Sequence, residues 1–490
     1  MPSRLFLENF LQHAESSGEQ AALYWNGSDF TYREIARRAR RAAAEIERLG
    51  GDRAAPVCVL AKKSPETLAL VIGCWLAGRS VLLPSPELGT SVLEQLLATA
   101  GCRHVLVPEG EPGSVSVRTV EPRKDVTPHT ARSDTLLMLT TSGSTGVPKI
   151  VPLDPDGVQR FLAWACDRFD IGAGTTVLSF APLNFDLSLL DVWATLYAGG
   201  CVALVDPERA ADGHHLAEVL EAGRVDVVQA VPVFYRLLRD AVPFGCSFPA
   251  RHVILTGDAT SPRLLAELPA LFPKARVYNV YGCTETNDSF LHEVDSFELA
   301  PGERLPIGRP IAGVEALLLD EEGRPVEGAG TGELVVRTPF QAAGYLDARL
   351  DVGRFVPGPD GSTYYRTGDV VRRTADGVYV LEGRNDYHVK VRGVRTNLQE
   401  VEHVLQLHPQ VLEVAVVAMP DEVFGNLLHA KVRRSPNSGL NSLHLRRYCS
   451  AHLPKSAIPS TVEITDQPLP KTSTGKVDRN AVKAALVKGR

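Results

Sequence analysis

The 490-residue chain lacks a paired cysteine motif, a strong charge of one sign and a long apolar run, and each absence removes a class of protein. Its eight cysteines, at positions 58, 74, 102, 166, 201, 246, 283 and 449, stand singly, without a CxxC pair or a His/Cys group at zinc spacing. They read as reduced cytosolic thiols. The longest apolar stretch, Leu68 to Ala77, reaches about half of a membrane span and is bracketed by Lys62, Lys63 and Arg79, so a buried helix is expected there. Arg4 and Glu8 interrupt any apolar region at the N-terminus, which does not read as a secretory signal. The expected compartment is the cytoplasm. With 52 basic and 58 acidic residues the net charge is −6, which argues against a broadly basic surface. Neither nucleic acid nor a membrane is an expected partner. There is no internal repeat and no low-complexity tract.

What is present is an alternation of short β-branched runs with helix-length segments. Strands are expected at Val57-Leu60, Ser80-Leu83, His104-Val107, Thr135-Leu139, Thr176-Phe180, Cys201-Val205, Val225-Val231, His252-Leu255 and Arg276-Val280. Helices fall between them, among others at Tyr32-Leu49, Pro65-Leu76, Leu93-Ala100, Val158-Asp167, Leu187-Leu196, His215-Glu221 and Pro262-Leu271. This is the pattern of an α/β fold with mostly parallel sheets. From about residue 305 strands follow one another with little helix, the mark of a β-rich subdomain to about residue 385. The last hundred residues form an α+β unit. The expected division is a large domain over 1–385 and a small, mobile one over 386–490, with the boundary in the turn chemistry of Gly383 to Tyr387.

The strongest local signal is Thr140-Thr141-Ser142-Gly143-Ser144-Thr145-Gly146-Val147-Pro148-Lys149 after the apolar run Leu136-Leu139. Glycines admit close approach of a ligand, hydroxyls and amides donate to anionic oxygens, and lysine adds a point charge, so the segment suits a polyphosphate. Neither the GxxxxGK[ST] loop nor the GxGxxG fingerprint is matched. Further motifs follow in order: Leu76-Ala77-Gly78 with Leu83-Pro84, Phe185-Asp186-Leu187-Ser188, Tyr281-Gly282-Cys283-Thr284-Glu285-Thr286, and Gly332-Glu333-Leu334 with Gly344-Tyr345-Leu346. After these come Tyr365-Arg366-Thr367-Gly368-Asp369, Gly383-Arg384-Asn385-Asp386, Arg392-Gly393-Val394-Arg395 and Pro470-Lys471-Thr472-Ser473-Thr474-Gly475-Lys476. From Phe30 to Arg479 the series resembles the adenylate-forming enzymes, which include acyl-CoA synthetases and the adenylation domains of nonribosomal peptide synthetases.

The resemblance implies ATP and Mg²⁺ as cofactors. It implies that Thr141 to Gly146 and Lys149 hold phosphates, that Thr284 contacts phosphate, and that Glu285 ligates the metal while Tyr281 and Gly282 lie along adenine. Asp369 would accept the ribose hydroxyls and Arg384 would contact the nucleotide. Lys476 would be the mobile catalytic lysine, Asp386 the pivot of the small domain and Gly393 the glycine against which a pantetheine arm slides. Asp186 would pair with a substrate ammonium, the alternative being an N-cap for the helix after it. The remaining pocket would be Leu187, Leu190, Phe234, Ile254, Thr256, Val280, Asp288 and Ser289, with Asp288 facing an amine, a hydroxyl or solvent. Four positions depart from the pattern: Ile150 for glycine, Asp154 for histidine, Cys283 for proline and Asn397 for glutamate. The chain runs fourteen residues past Lys476 without a segment resembling a phosphopantetheine site. The expectation is therefore an amino-acid-activating ligase that loads the phosphopantetheine of a separate carrier protein in trans. The alternatives are an acyl-CoA ligase for a small acid and a non-catalytic nucleotide-binding subunit.

Overall fold

Three helices begin with the same two residues of grammar. Ser64-Pro65, Asp154-Pro155 and Ser261-Pro262 open Pro65–Leu76, Pro155–Arg168 and Pro262–Leu271, and the cap oxygens accept the amides of Thr67, Gly157 and Leu264 at 3.1, 2.9 and 3.3 Å. Each cap satisfies an amide that the first turn leaves over, and proline's fixed φ suits the first helical position. Asp154, where the resembling family has histidine, is thus a helix cap. The computed structural model describes residues 3–50, 55–60, 62–121, 128–129, 135–141, 148–300, 303–358, 360–384, 387–391, 394–421, 425–453, 457–472 and 475–488.

Six parallel strands form the centre of a nine-stranded sheet, in the spatial order Ala21–Trp25, Cys201–Leu204, Thr176–Ser179, Val227–Ala230, His252–Thr256 and Arg276–Cys283. Antiparallel Ser28–Thr31 closes one edge; Asn287–Glu293 and Arg309–Pro310 close the other. Successive residues enter opposite cores, with Val177, Val202, Val227, Ile254 and Tyr278 on one face and Leu178, Ala203, Val228, Val253 and Val277 on the other. Both faces are covered, which is why these strands are apolar throughout.

A second sheet of six strands sets His104–Pro108, Val57–Val59, Val81–Leu82 and Leu137–Thr141 in parallel, with Val115–Thr119 and Lys149–Pro152 as antiparallel edges. Ile150, another departure from the family pattern, is buried in the core beneath this sheet, and its carbonyl accepts the Leu346 amide at 2.9 Å. The β-rich stretch is an antiparallel sheet of Glu315–Leu319, Gly330–Arg337, Phe355–Pro357, Thr363–Arg373 and Tyr379–Arg384. The smaller C-terminal domain has a hairpin, His388–Val391 with Val394–Asn397, and a sheet of Val411–Asp421, Gly425–Arg434 and Thr461–Thr465. Helices Leu398–Gln406, Ser442–His452 and Arg479–Lys488 accompany them, and Val401, Val416, Val432 and Leu445 lie in its separate core. The fold is mixed α/β, with a large N-terminal and a smaller C-terminal domain.

The expected helix Leu187-Leu196 takes a different form. Leu189–Ala194 is a π-helix, followed by one α-turn at Thr195–Tyr197. Every residue of the π segment is buried, Asp191 included. Among the described residues no helix is long and apolar enough to cross a membrane, and all eight cysteines are free.

Candidate functional site

Several of the residues singled out by sequence lie just past the C-terminal ends of adjacent parallel strands, where open α/β sheets bind ligands. Thr176–Ser179 leads to Asp186, Val227–Ala230 to the helix Pro232–Ala241, His252–Thr256 ends at Thr256, and Arg276–Cys283 delivers Thr284 and Glu285. The last of these turns is tight. A Cβ on Gly282 would stand 2.3 Å from the Asn287 carbonyl oxygen, so the bulge at Tyr281/Gly282 that turns Thr284 and Glu285 into the site needs glycine. Cys283, in the place of the family's proline, sets its Sγ 3.1 Å from the Thr286 hydroxyl inside this turn.

Glu285 is 6% exposed, and its Oε1 accepts the Tyr345 hydroxyl at 2.6 Å. Tyr345 in turn lies 3.1 Å from the Tyr365 hydroxyl, accepts from Lys149 Nζ at 3.4 Å, and presents its ring to the same ammonium at 4.6 Å. The group joins three sheets. Lys149 is held below the usual lysine range by burial and by the charges of Arg354 and Arg384, against the opposing pull of Glu285. Arg354 and Arg384 also converge on Gly368, each with a guanidinium nitrogen 3.2 Å from where a Cβ would stand. Three cations that crowd one another call for an anion. Nearby, the Thr141 Oγ1 is buried with no hydrogen-bond partner among the described residues.

Asp369 ends the same array. It is buried, accepts the Tyr281 hydroxyl, and accepts Arg384 Nη1 on Oδ1 at 3.1 Å. The pairing follows from register, since Asp369 and Arg384 face each other across Thr363–Arg373 and Tyr379–Arg384.

Asp186 does not cap a helix. Its Oδ1 accepts the Leu187 amide at 3.1 Å, and the π-helix beyond has Ser188 at its start without a side-chain cap bond. Burial, followed by the charge of Glu285, pushes the Asp186 carboxyl up to about 6, while the Thr284 hydroxyl, the Leu187 amide and the Lys476 charge pull it back. Asp288 is half-buried, and burial, then the charge of Asp186, push its carboxyl up to about 8. Two carboxylates and one lysine thus share a space. Lys476 is exposed on a turn in which the Thr472 amide donates to the Lys476 carbonyl at 2.8 Å and Gly475 takes φ +78°.

Leu190, Ile254 and Val280 pack in one core, with Thr256 and Ser289 also buried and Leu187 half-buried. Phe234 is a correction to the expected pocket. Its ring lies in the core on the opposite side of the sheet, 5.1 Å from both Phe180 and Tyr235. Phe234, Tyr235 and Leu238 form the buried stripe of the helix Pro232–Ala241, which leaves Val233 and Arg236 on the other face. Val233 Cγ1 would be 3.3 Å from a Cβ on Gly475, so the site side of this helix begins one residue earlier than expected. Ser142, Gly143, Ser144, Thr145, Gly146, Asp386 and Gly393 lie outside the described residues.

Sequence reading did not single out Tyr365, Arg354, Val233 or Lys63 as site residues, and it quoted Tyr345 only as part of a motif. Lys63 is buried, with Nζ donating to the carbonyls of Phe180 and Ala181 at 3.1 and 3.0 Å and to Ser179, on the segment leading to Asp186. Buried Asp191 is within electrostatic reach; desolvation pushes the lysine down and the acid up, and each one's charge opposes that shift in the other.

The donor set suits a hard cation. A buried carboxylate at Glu285 beside the Thr284 hydroxyl offers oxygen alone, and Mg²⁺ bridging phosphates takes only one or two protein carboxylates.

The model described as AMP-binding enzyme matches residues 10–346, and that described as AMP-binding enzyme C-terminal domain matches residues 400–476. The chain is 33% identical to phosphinothricin tripeptide synthetase PhsB of Streptomyces viridochromogenes over 93% of its own length and 40% of that protein. It spans less than half the length of such multi-enzyme relatives. It is 31% identical to the L-proline--[L-prolyl-carrier protein] ligase of Pseudomonas fluorescens, covering 88% of this chain and 82% of that one. The solved structure of Klebsiella oxytoca NpsA in complex with 3-hydroxyanthranilyl-AMSN matches with a TM-score of 0.80 at 25% identity, covering 98% of this chain and 99% of that one. The chain belongs to the AMP-binding enzyme family.

Proposed function

We propose that the protein is an ATP-dependent ligase that activates an amino acid as its aminoacyl-adenylate and then passes the acyl group to the phosphopantetheine thiol of a carrier protein. The observation that carries the amino-acid reading is the acidic pocket, Asp186 with Asp288, beside the cationic array of Lys149, Arg354 and Arg384. A desolvated carboxylate attracts a substrate ammonium and rejects a plain acid, which leaves it unpaired. The named activity of the L-proline ligase relative supports a carrier protein as acceptor.

In the first step the substrate carboxylate attacks the α-phosphorus of ATP and pyrophosphate leaves. Asp186 orients the ammonium, Lys149 and the two arginines take up phosphate charge, Asp369 accepts the ribose hydroxyls, and Lys476 meets the charge that builds at the α-phosphate. Glu285 would hold Mg²⁺, which supplies charge neutralisation at the phosphates, and Thr284 would contact phosphate. In the second step the pantetheine thiol attacks the acyl carbon and AMP leaves, with the small domain, taken to pivot at Asp386, having turned Lys476 away in favour of Gly393. The free thiols support a reducing, cytoplasmic setting.

Pyrophosphate exchange over a panel of amino acids and plain carboxylic acids tests this reading. Exchange with one or a few amino acids is expected. Exchange with plain acids alone would point to acyl-CoA formation, and none at all to a non-catalytic nucleotide-binding subunit.

A further inference from the structure

The turn that carries Lys476 is tied to the large domain through one buried carboxylate. Glu413, 5% exposed on Val411–Asp421, accepts the Leu469 amide on Oε2 at 2.9 Å and has Lys471 Nζ 3.0 Å from Oε1. Both contacts lead into the lysine turn. Lys471 bridges to Val477 across it, and the Gly475 amide closes it onto the Thr472 carbonyl at 2.9 Å.

On its other side Glu413 meets the large domain. Arg236 Nη2 is 3.4 Å from Glu413 Oε1, and Arg236 Nη1 donates to the Leu412 carbonyl at 3.4 Å. Arg236 sits one turn beyond Val233 on Pro232–Ala241, so this helix touches the lysine turn twice, directly at Gly475 and indirectly through Glu413. We infer that Glu413 and Arg236 are positioning residues for Lys476 in the adenylate-forming step, Glu413 shaping the turn and Arg236 docking it on the large domain. The inference rests on the reading of Lys476 as the adenylating lysine.

The charges explain how such a dock can release. Burial favours the neutral acid at Glu413, but the Leu469 amide, Lys471 and Arg236 hold its carboxyl below the usual range. When the small domain leaves, Arg236 is lost, while Lys471 and Arg433, the latter 3.7 Å away, travel with Glu413. The carboxylate is never stranded, so the contact orients the domain without locking it.

The test compares Arg236→Ala, Arg236→Lys, Glu413→Gln and Lys476→Ala in two assays: pyrophosphate exchange with its kcat and KM, and single-turnover transfer from pre-formed aminoacyl-adenylate to carrier. Arg236→Ala and Glu413→Gln should lower the exchange kcat by about tenfold, the worth of one charged contact, with both KM values and thiol transfer within about twofold. Arg236→Lys should recover part of the loss. Exchange unchanged in Arg236→Ala while Lys476→Ala falls would overturn the inference and leave the Lys476 reading standing. Equal loss in both half-reactions would show general damage and overturn it too. Exchange retained in Lys476→Ala would remove the reading and the inference together.

Discussion

Asp186 and Asp288 differ in what they can offer a ligand at neutral pH. Asp186, pushed up to about 6, is mostly ionised at pH 7, whereas Asp288, pushed up to about 8, is mostly protonated until a cation arrives. The two should therefore respond unequally to the same isosteric change. Asp186→Asn is expected to weaken amino-acid activation by on the order of 2 kcal/mol in kcat/KM, with the KM for ATP nearly unchanged. Asp288→Asn, which keeps the shape and hydrogen bonding of the neutral acid, should leave kcat/KM at pH 7 within about threefold for a substrate with one ammonium. Steady-state pyrophosphate exchange checks both. Equal losses would mean that the two carboxylates grip the substrate alike.

At the scale of elements, the helix Leu398–Gln406 shows how a departure from the family pattern is accommodated. Asn397, in place of glutamate, caps it by accepting the Gln399 amide at 2.9 Å and donates to the Glu382 carbonyl at 3.3 Å. Further along, burial and then the charge of Arg304 drag His403 down to about 4, and its Nε2 has no hydrogen-bond partner among the described residues. An unfolded histidine binds its proton near pH 6.5. The folded chain resists that proton, so the stability associated with neutral His403 is complete above about pH 6.5 and is lost as pH falls toward 4. Thermal scans of the small domain should show a Tm falling by a few degrees from pH 7 to pH 5, and His403→Gln should flatten that slope.

Two elements with a cap, a proline and a clear period were legible to the residue, Pro65–Leu76 and Pro262–Leu271, while Pro155–Arg168 begins three residues before the expected Val158 because its cap and proline precede the apolar period. The strand Asn287–Glu293 was not, because Asn-Asp-Ser reads as turn chemistry until the preceding strand pairs with it. Phe234 was placed on the wrong side of its helix since a three-residue neighbourhood does not fix helical phase. The Arg236–Glu413 pair, 177 residues apart, has no local signal at all.

In the proposed mechanism one lysine serves a site built by the other domain. The charge of Lys476 reaches Asp186 from a turn at the far end of the chain, and the proposed alternation needs that lysine for only one half-reaction. Lys476→Ala should cost adenylation about 10² to 10³ in rate, the usual effect of losing a charge-stabilising donor, while transfer from pre-formed adenylate survives. Rapid-quench measurement of each half-reaction decides this, and matching losses would be incompatible with alternation.

Lys63 and Asp191 carry a consequence for the chain's history. One lies just beyond a strand of the six-stranded sheet and holds the carbonyls after a strand of the nine-stranded sheet; the other lies on the π-helix that follows Asp186. Replacing Lys63 alone would leave the buried carbonyls of Phe180 and Ala181 without their ammonium donor, at a cost of about 1 to 3 kcal/mol for each group left unpaired, whereas replacing Asp191 alone leaves those bonds in place. Descendants of this sequence can therefore vary the acid more freely than the lysine. The joint between the two sheets constrains what can follow Lys62 far more tightly than what can stand on the π-helix.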